Sequence, residues 1–211
     1  IRDELLDKRI VAQQNQESYW KTRSDYYTML EQIYNEPYDI SIRSNMDKFW
    51  EGWQELSINP ESQAARQAIV TRGETLTESI QQRWESLAGI GNLINGDIEA
   101  TVKQVNSLTA QIAEINGEIV RSRGMGDNPN DLLDRRDLLV DKLSELVNVT
   151  TDTRDPDEFM VHVDGRVIVQ GGIAREIGLA PRYDETGYNK LIWADTGNDA
   201  QFSGGKLGAL V

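Results

Sequence analysis

The chain has 211 residues, with 35 acidic against 22 basic side chains, a formal net charge of −13 and no cysteine. Without clustered lysine and arginine, binding to nucleic acid or to an anionic membrane is disfavoured. Without cysteine there is no disulfide, zinc–thiolate site or thiol nucleophile. Hydrophobic residues are 38% of the total, a low share for a compact globule and one that suits an elongated helical protein. No apolar run approaches the ~18 residues of a membrane span.

The first helix is predicted over about residues 2–36. Leu5, Leu6, Ile10 and Val11, then Trp20, Tyr27, Leu30, Ile33 and Tyr34, recur at helical spacing. The pattern thins between Gln13 and Ser18, which predicts a solvated middle or a contact with something outside the chain. Pro37 stops the helix near Glu36, and Tyr38 to Ile40 is a short connection. Ser41 can cap a second helix over about 41–57, with Ile42, Met46, Phe49, Trp53 and Leu56 on one face and Trp50 beside them. Asn59 then reads as an N-cap and Pro60 as the first residue of a third helix over about 60–121.

The third helix organises the rest. Ile80, Trp84, Leu87, Gly91, Ile94, Ile98, Thr101, Val105, Leu108, Ile112, Ile115 and Ile119 step alternately by four and three. A 3.5-residue spacing held this long predicts one continuous helix with an apolar stripe facing another helix. Its forty residues, at ~1.5 Å each, make a rod of roughly 60 Å. Gly89, Gly91 and Gly96 each cost about 1 kcal/mol there, but the unbroken phase argues against a turn.

Residues 122–130 read SRGMGDNPN, a loop by composition. Asn128 is predicted to cap a fourth helix over 129–147, with Pro129 first. Leu132, Leu139, Leu143 and Leu146 share one face, and Arg136 sits in the seam between Leu132 and Leu139. The short loop predicts that this helix folds back antiparallel onto the end of the third. Spacing alone suits a two-stranded coiled coil between chains, yet the folded-back helix supplies a partner within the chain. The expected core seam is Trp84, Leu87, Ile94, Ile98, Val105, Leu108, Ile112, Ile115, Ile119, Leu132, Leu139 and Leu143.

After Val147 the composition turns β-prone. Phe159 to Gln170, interrupted by Asp164-Gly165, predicts a hairpin with a type I′ turn. Ile173 to Leu179 and Lys190 to Ala194 are weaker strand signals, the stretch from Ala180 to Asn189 is a polar loop, and Ser203 to Gly208 reads as a flexible end. The fold class expected is mainly α: an elongated antiparallel long-helix bundle over 1–147 and a smaller β-hairpin region over 148–211.

Chemistry is hard to find. His162 is the only histidine and reads as a strand residue. Asp127, Asp131, Asp134, Asp137 and Asp141 fail the EF-hand pattern, because Leu132 and Leu138 stand where Gly and Glu are needed. They suit a solvated helix face. Asp152, Asp155, Asp157 and Glu158 around Pro156 read as a charged turn. Gly204-Gly205-Lys206 has Leu207 where Ser or Thr is needed and Ala200 where the first glycine should stand, so it is not a phosphate loop. No G-x-S-x-G motif occurs. The residues therefore single out no catalytic, metal or cofactor site, and helix surface points to assembly.

Several blocks carry a resemblance: Arg2 to Arg9; Asn35-Glu36-Pro37, then Phe49 to Leu56 and Asn59-Pro60-Glu61 with Ala65-Arg66; Val105-Asn106-Ser107-Leu108 with Gln111-Ile112 and Ile115-Asn116; and Gly204 to Leu210. Most specific is Pro129-Asn130-Asp131-Leu132-Leu133-Asp134-Arg135-Arg136-Asp137. In this order they resemble the flagellar hook-associated protein 1 (FlgK) family. The resemblance implies a structural protein of the bacterial flagellum, exported through the flagellar type III apparatus and placed at the hook–filament junction, with no enzymatic activity and no cofactor. It implies as partners further copies in a ring, the hook protein, the neighbouring junction protein and an export chaperone, with no nucleic acid and no membrane. It places the protein in the flagellum outside the cell, or in the periplasm where flagella are internal. Against the family the sequence reads as a core fragment, without the terminal segments of the innermost tube layer. The competing reading from heptads alone is a cytoplasmic coiled-coil scaffold or regulator. An acid–base hydrolase would need a pocket with two convergent carboxylates.

Overall fold

The computed structural model describes residues 4–34, 41–155, 158–181 and 189–211. The expected helix stop at Glu36, the connection at 38–40, the turn around Pro156 and most of the 180–189 loop lie outside these residues. The chain runs α1 (Glu4–Tyr34), α2 (Ile42–Ile58), α3 (Gln63–Gly124) and α4 (Asn130–Leu146). Then follow β1 (Val149–Asp155), β2 (Glu158–Val163), β3 (Arg166–Gln170), β4 (Ile173–Ala174), β5 (Ile177–Pro181), β6 (Asn189–Trp193) and α5 (Gly205–Leu210). α3 passes Gly89–Gly96 without a break.

The chain divides into two compact units. The first is Ile1–Asp25 with Ile94–Val211, the second Tyr26–Leu93. The expected boundary at 147/148 falls inside the first unit. The reason is physical: a small sheet with one apolar face needs a helical floor, and α3 and α4 provide it.

In the second unit α2 lies against the early part of α3. Ser41 accepts a hydrogen bond from the Ser44 amide at 3.1 Å, the cap its sequence position suggests. Gly52 is buried against Ile69, and Arg72 donates to the Lys48 carbonyl at 3.0 Å. α3 starts later than Asn59-Pro60 implied. Asn59 closes α2 instead, the Ser62 amide donates to the Asn59 carbonyl, and Ser62 caps α3 through the Ala65 amide at 3.2 Å.

In the first unit β1, β2, β3 and β4 form an antiparallel sheet in chain order. The β2–β3 turn has Asp164 at φ 46° and Gly165 at φ 83°, the two positive values that a type I′ turn requires. Val163 pairs with Arg166 and His162 with Val167, before a register shift places Val161 opposite Val169. Val161, Val163, Val169, Leu143, Val147, Val105 and Ile112 are fully buried. The stretch from Ile173 to Leu179 is not one strand. It breaks at Arg175-Glu176, and β5 pairs with β6 in a separate two-stranded sheet from Ile177–Trp193 to Pro181–Asn189.

The C-terminal stretch is ordered, contrary to its flexible composition. Gly205 adopts φ 64°, and a Cβ there would stand 2.5 Å from the Val147 nitrogen, so only glycine lets the chain approach the end of α4 so closely. Leu207 of α5 is completely buried.

Candidate functional site

The Pro129–Asp137 run builds the start of α4. Pro129 takes the cap position itself, one residue later than expected for the cap, and its carbonyl accepts from Leu133 at 3.1 Å. Asp131, Asp134 and Arg135 are exposed, while Leu132 and Leu133 are half-buried. Arg136 explains its own seam position. Its guanidinium lies 3.7 Å from the centre of the Phe159 ring on β2, a cation–π contact sheltered from water, with 13% of the side chain exposed. Its Nη1 donates to Asn116 Oδ1 at 3.4 Å, and Asn116 Nδ2 donates to the Gly171 carbonyl at 2.9 Å. One arginine thus ties α4 to α3 and to the sheet, where a leucine would tie only the helices. Asp137 stands 3.8 Å from Arg136 Nε.

Asn116 belongs to a ladder of three asparagines along α3, each directly after an apolar seam residue. Asn95 follows Ile94, and its Oδ1 accepts from the Asn189 amide at 3.1 Å. Asn106 follows Val105 and pairs with both backbone groups of Ile177: Nδ2 donates to the carbonyl at 2.8 Å and Oδ1 accepts from the amide at 2.9 Å. Asn116 follows Ile115 and holds the turn between β3 and β4. The asparagines therefore satisfy strand-edge groups that burial would otherwise leave unmade, at a cost of about 1–3 kcal/mol each.

Two further clamps close the first unit. Asn15 of α1 is buried and donates from Nδ2 to the carbonyls of Ser144 at 2.8 Å and Val147 at 2.9 Å. The polar stretch of α1, expected to be solvated or to touch something outside the chain, meets α4 of the same chain through the Asn15 amide, while Gln13, Gln16 and Glu17 are exposed. Asp164 in the hairpin turn accepts from Ser203 Oγ and from Asn148 Nδ2, tying the turn to the segment before α5.

The seam itself is uneven. Ile98, Val105, Ile112, Ile115, Ile119, Leu139 and Leu143 are buried. Leu87, Ile94, Leu108 and Leu132 are half-buried. Trp84 is 72% exposed and Ile80 48%, so the seam does not extend back to them as expected. α2 meets α3 at Ile69, Arg72 and Gly73, Arg83 stacks over the Tyr34 ring of α1 at 5.2 Å, and the polar ladder begins only at Asn95. Trp20, Trp50 and Trp53 are exposed too, leaving Trp193 as the buried tryptophan, 8% exposed and packed with Phe202 and Arg166.

Among the described residues no group of three or more His, Cys, Asp or Glu side chains could hold a metal ion. His162 is half-buried opposite Thr150 and Val167. An open groove of about 520 Å³ lies over Phe49, Gly73 and Leu76, with Glu74 and Glu78 beside it. No helix of the described residues is long and apolar enough to cross a membrane.

Comparison with known proteins gives a consistent result. A family described as the flagellar hook-associated protein FlgK helical domain matches residues 27–211. Flagellar hook-associated protein 1 of Bacillus subtilis is 34% identical over 149 residues, 71% of this chain and 29% of the relative. Its Salmonella typhimurium namesake is 30% identical over 182 residues, 85% and 33% of the two chains. A solved structure, the flagellar hook junction protein FlgK from Burkholderia pseudomallei, shares the fold with a TM-score of 0.81 at 24% identity, over 96% of this chain and 38% of that one. The chain spans about a third of the length of the curated relatives it matches.

Proposed function

The chain belongs to the flagellar hook-associated protein FlgK family, and on that premise we propose that it is the helical core of a structural adaptor at the hook–filament junction. The observation that carries this reading is the match of the FlgK helical domain to residues 27–211. The residue chemistry is compatible with it. Polar side chains such as Arg136 and the three asparagines of α3 hold helices and strands together. The family match to a structural protein of the flagellum supports a role without enzymatic activity.

In this reading the partners are further copies in a ring, the hook protein and the neighbouring junction protein, with an export chaperone acting before assembly. The protein is exported and resides in the flagellum. The seam of Ile98, Val105, Ile112, Ile115, Ile119, Leu139 and Leu143 is the inner face, and the opposite, polar side of α3 is what a neighbouring subunit meets.

A clean deletion of the gene tests the proposal. Hooks should form while filament protein is lost to the medium, and the intact gene should restore filaments. Normal filaments on the deletion strain would overturn the adaptor role. Recovery of the protein in cytosol alone, never in purified flagella, would favour a cytoplasmic scaffold.

A further inference from the structure

The three rungs of the α3 ladder are the dipeptides Asn95-Gly96, Asn106-Ser107 and Asn116-Gly117. In each a small residue follows the asparagine, which is the arrangement that least hinders attack of a backbone nitrogen on the asparagine side chain. Glycine is not required at two of them by space. A Cβ on Gly96 would meet nothing within 4 Å, and one on Gly117 only the Arg121 Nη1 at 3.5 Å. Both glycines lie inside α3, where alanine is the better helix former.

We propose that Asn106 and Asn116 are latent deamidation sites, silent while the β strands are docked on α3 and irreversible reporters once they come away. The nitrogen of residue 107 or 117 attacks the asparagine Cγ. The Cγ–Nδ2 bond breaks, and Nδ2 leaves as ammonia with the proton of the attacking amide. Water then opens the cyclic imide at either carbonyl, giving aspartate or an isoaspartyl linkage. Nothing is oxidised or reduced.

The folded chain blocks this step twice. α3 fixes the backbone torsions and engages the attacking N–H in helical hydrogen bonding. The side-chain amides are held by Ile177 and Gly171. The consequence of reaction differs along the ladder. Asn106 and Asn116 use Nδ2 as a donor to a carbonyl, and a carboxylate oxygen in its place faces that carbonyl as a second acceptor. Among the described residues Asn95 is bonded through Oδ1 alone, as an acceptor, which aspartate keeps. Reaction at 106 or 116 therefore works against re-docking, offset in part at 116 by Arg136 Nη1, 3.4 Å from Asn116 Oδ1, and direct conversion to aspartate at 95 does not.

The chain is incubated at mildly alkaline pH, native and in urea, and mapped by mass spectrometry that separates aspartyl from isoaspartyl peptides. Deamidation at 106 and 116 should be at least ~10-fold slower in the native sample, as expected for a reaction that needs local opening. In urea, Gly117→Ala should slow reaction at 116 and leave 106 unchanged. By hydrogen exchange, Asn106→Asp and Asn116→Asp should expose β3 to β6 to fast exchange, with α4 still protected, and Asn95→Asp should match the parent chain. Equal rates in native and urea samples would overturn the proposal. So would aspartate variants at 106 and 116 that exchange as slowly as the parent. Should either variant fail to fold, the native-to-urea ratio and Gly117→Ala still decide.

Discussion

The two halves of α3 carry one heptad phase and have different surroundings. From Ile98 to Ile119 the helix buries Ile98, Val102, Val105, Ile112, Ala113, Ile115 and Ile119, together with Thr101, Thr109 and Asn116. Before Leu93 it buries Ala65, Ile69 and Gly91, and it leaves Val70, Ile80 and Trp84 exposed. Both halves are equally regular helix. Heptad spacing therefore specifies a helix and the azimuth of its apolar stripe; it does not specify how far along the stripe a partner reaches. In the later half the partners are α4, the strands and the polar ladder, and they add directional bonds to a non-directional apolar contact.

The difference is broken most severely at its most enclosed point. Ile112 is completely buried. Ile112→Asp places an unpaired carboxylate at a fully enclosed position, and should cost roughly 4–5 kcal/mol. For a chain of this size that lowers the melting temperature by about 10 °C or more. Calorimetry of the first unit's transition checks it. An unchanged melting temperature would mean that Ile112 is not enclosed, and the contrast between the two halves would disappear.

A smaller effect is expected at Trp193, in the β5–β6 sheet of the first unit. The indole is buried, 5.7 Å from the Phe202 ring by centroid and covered by the Arg166 guanidinium at 4.6 Å, itself held by Asp195 through bonds of 2.7 and 2.8 Å. Trp193→Ala should cost about 3–5 kcal/mol, the range for large aromatic truncations in cores. Urea unfolding followed by circular dichroism measures it. A cost under ~1 kcal/mol would show that this small sheet contributes little to the unit.

What could be read from the chain divides along the same line. The hairpin was legible because Asp164-Gly165 is a local signal, complete within two residues. The mainly α character was legible because the 3.5-residue spacing repeats for forty residues. α5 was not, since a six-residue glycine-rich segment has no period, and its order comes from Gly205 meeting Leu146 and Val147 nearly sixty residues away in the chain. Asn15 and the three ladder asparagines were equally hidden. A polar residue beside an apolar seam has the same spacing whether it faces water or a strand edge, and only the position of Ile177 or Gly171 tells them apart. Arg136 gave the one usable hint, a charged side chain on a seam phase. Trp84 misled in the opposite way, with the right phase and no cover.

Trp84 gives the smallest expected effect and the sharpest use of the comparison. It has the same side chain as Trp193 and the same heptad phase as Val105 and Ile112, yet it is 72% exposed. If burial rather than phase sets the cost, Trp84→Ala should change stability by no more than about 0.5 kcal/mol, since no core contact is lost and alanine is the better helix former. Urea unfolding of the Trp84 and Trp193 variants side by side measures the gap. Similar costs would mean that the early half of α3 is covered after all, and the phase argument would then hold along the whole helix. A null cost has a further reading in the full-length protein. Large aromatics exposed in this way concentrate binding energy when they are covered by a partner. A Trp84→Ala strain that makes stable protein and hooks, but sheds filament protein, would place Trp84 at a contact between neighbouring subunits. A strain with normal filaments would leave it an exposed aromatic with no part in assembly.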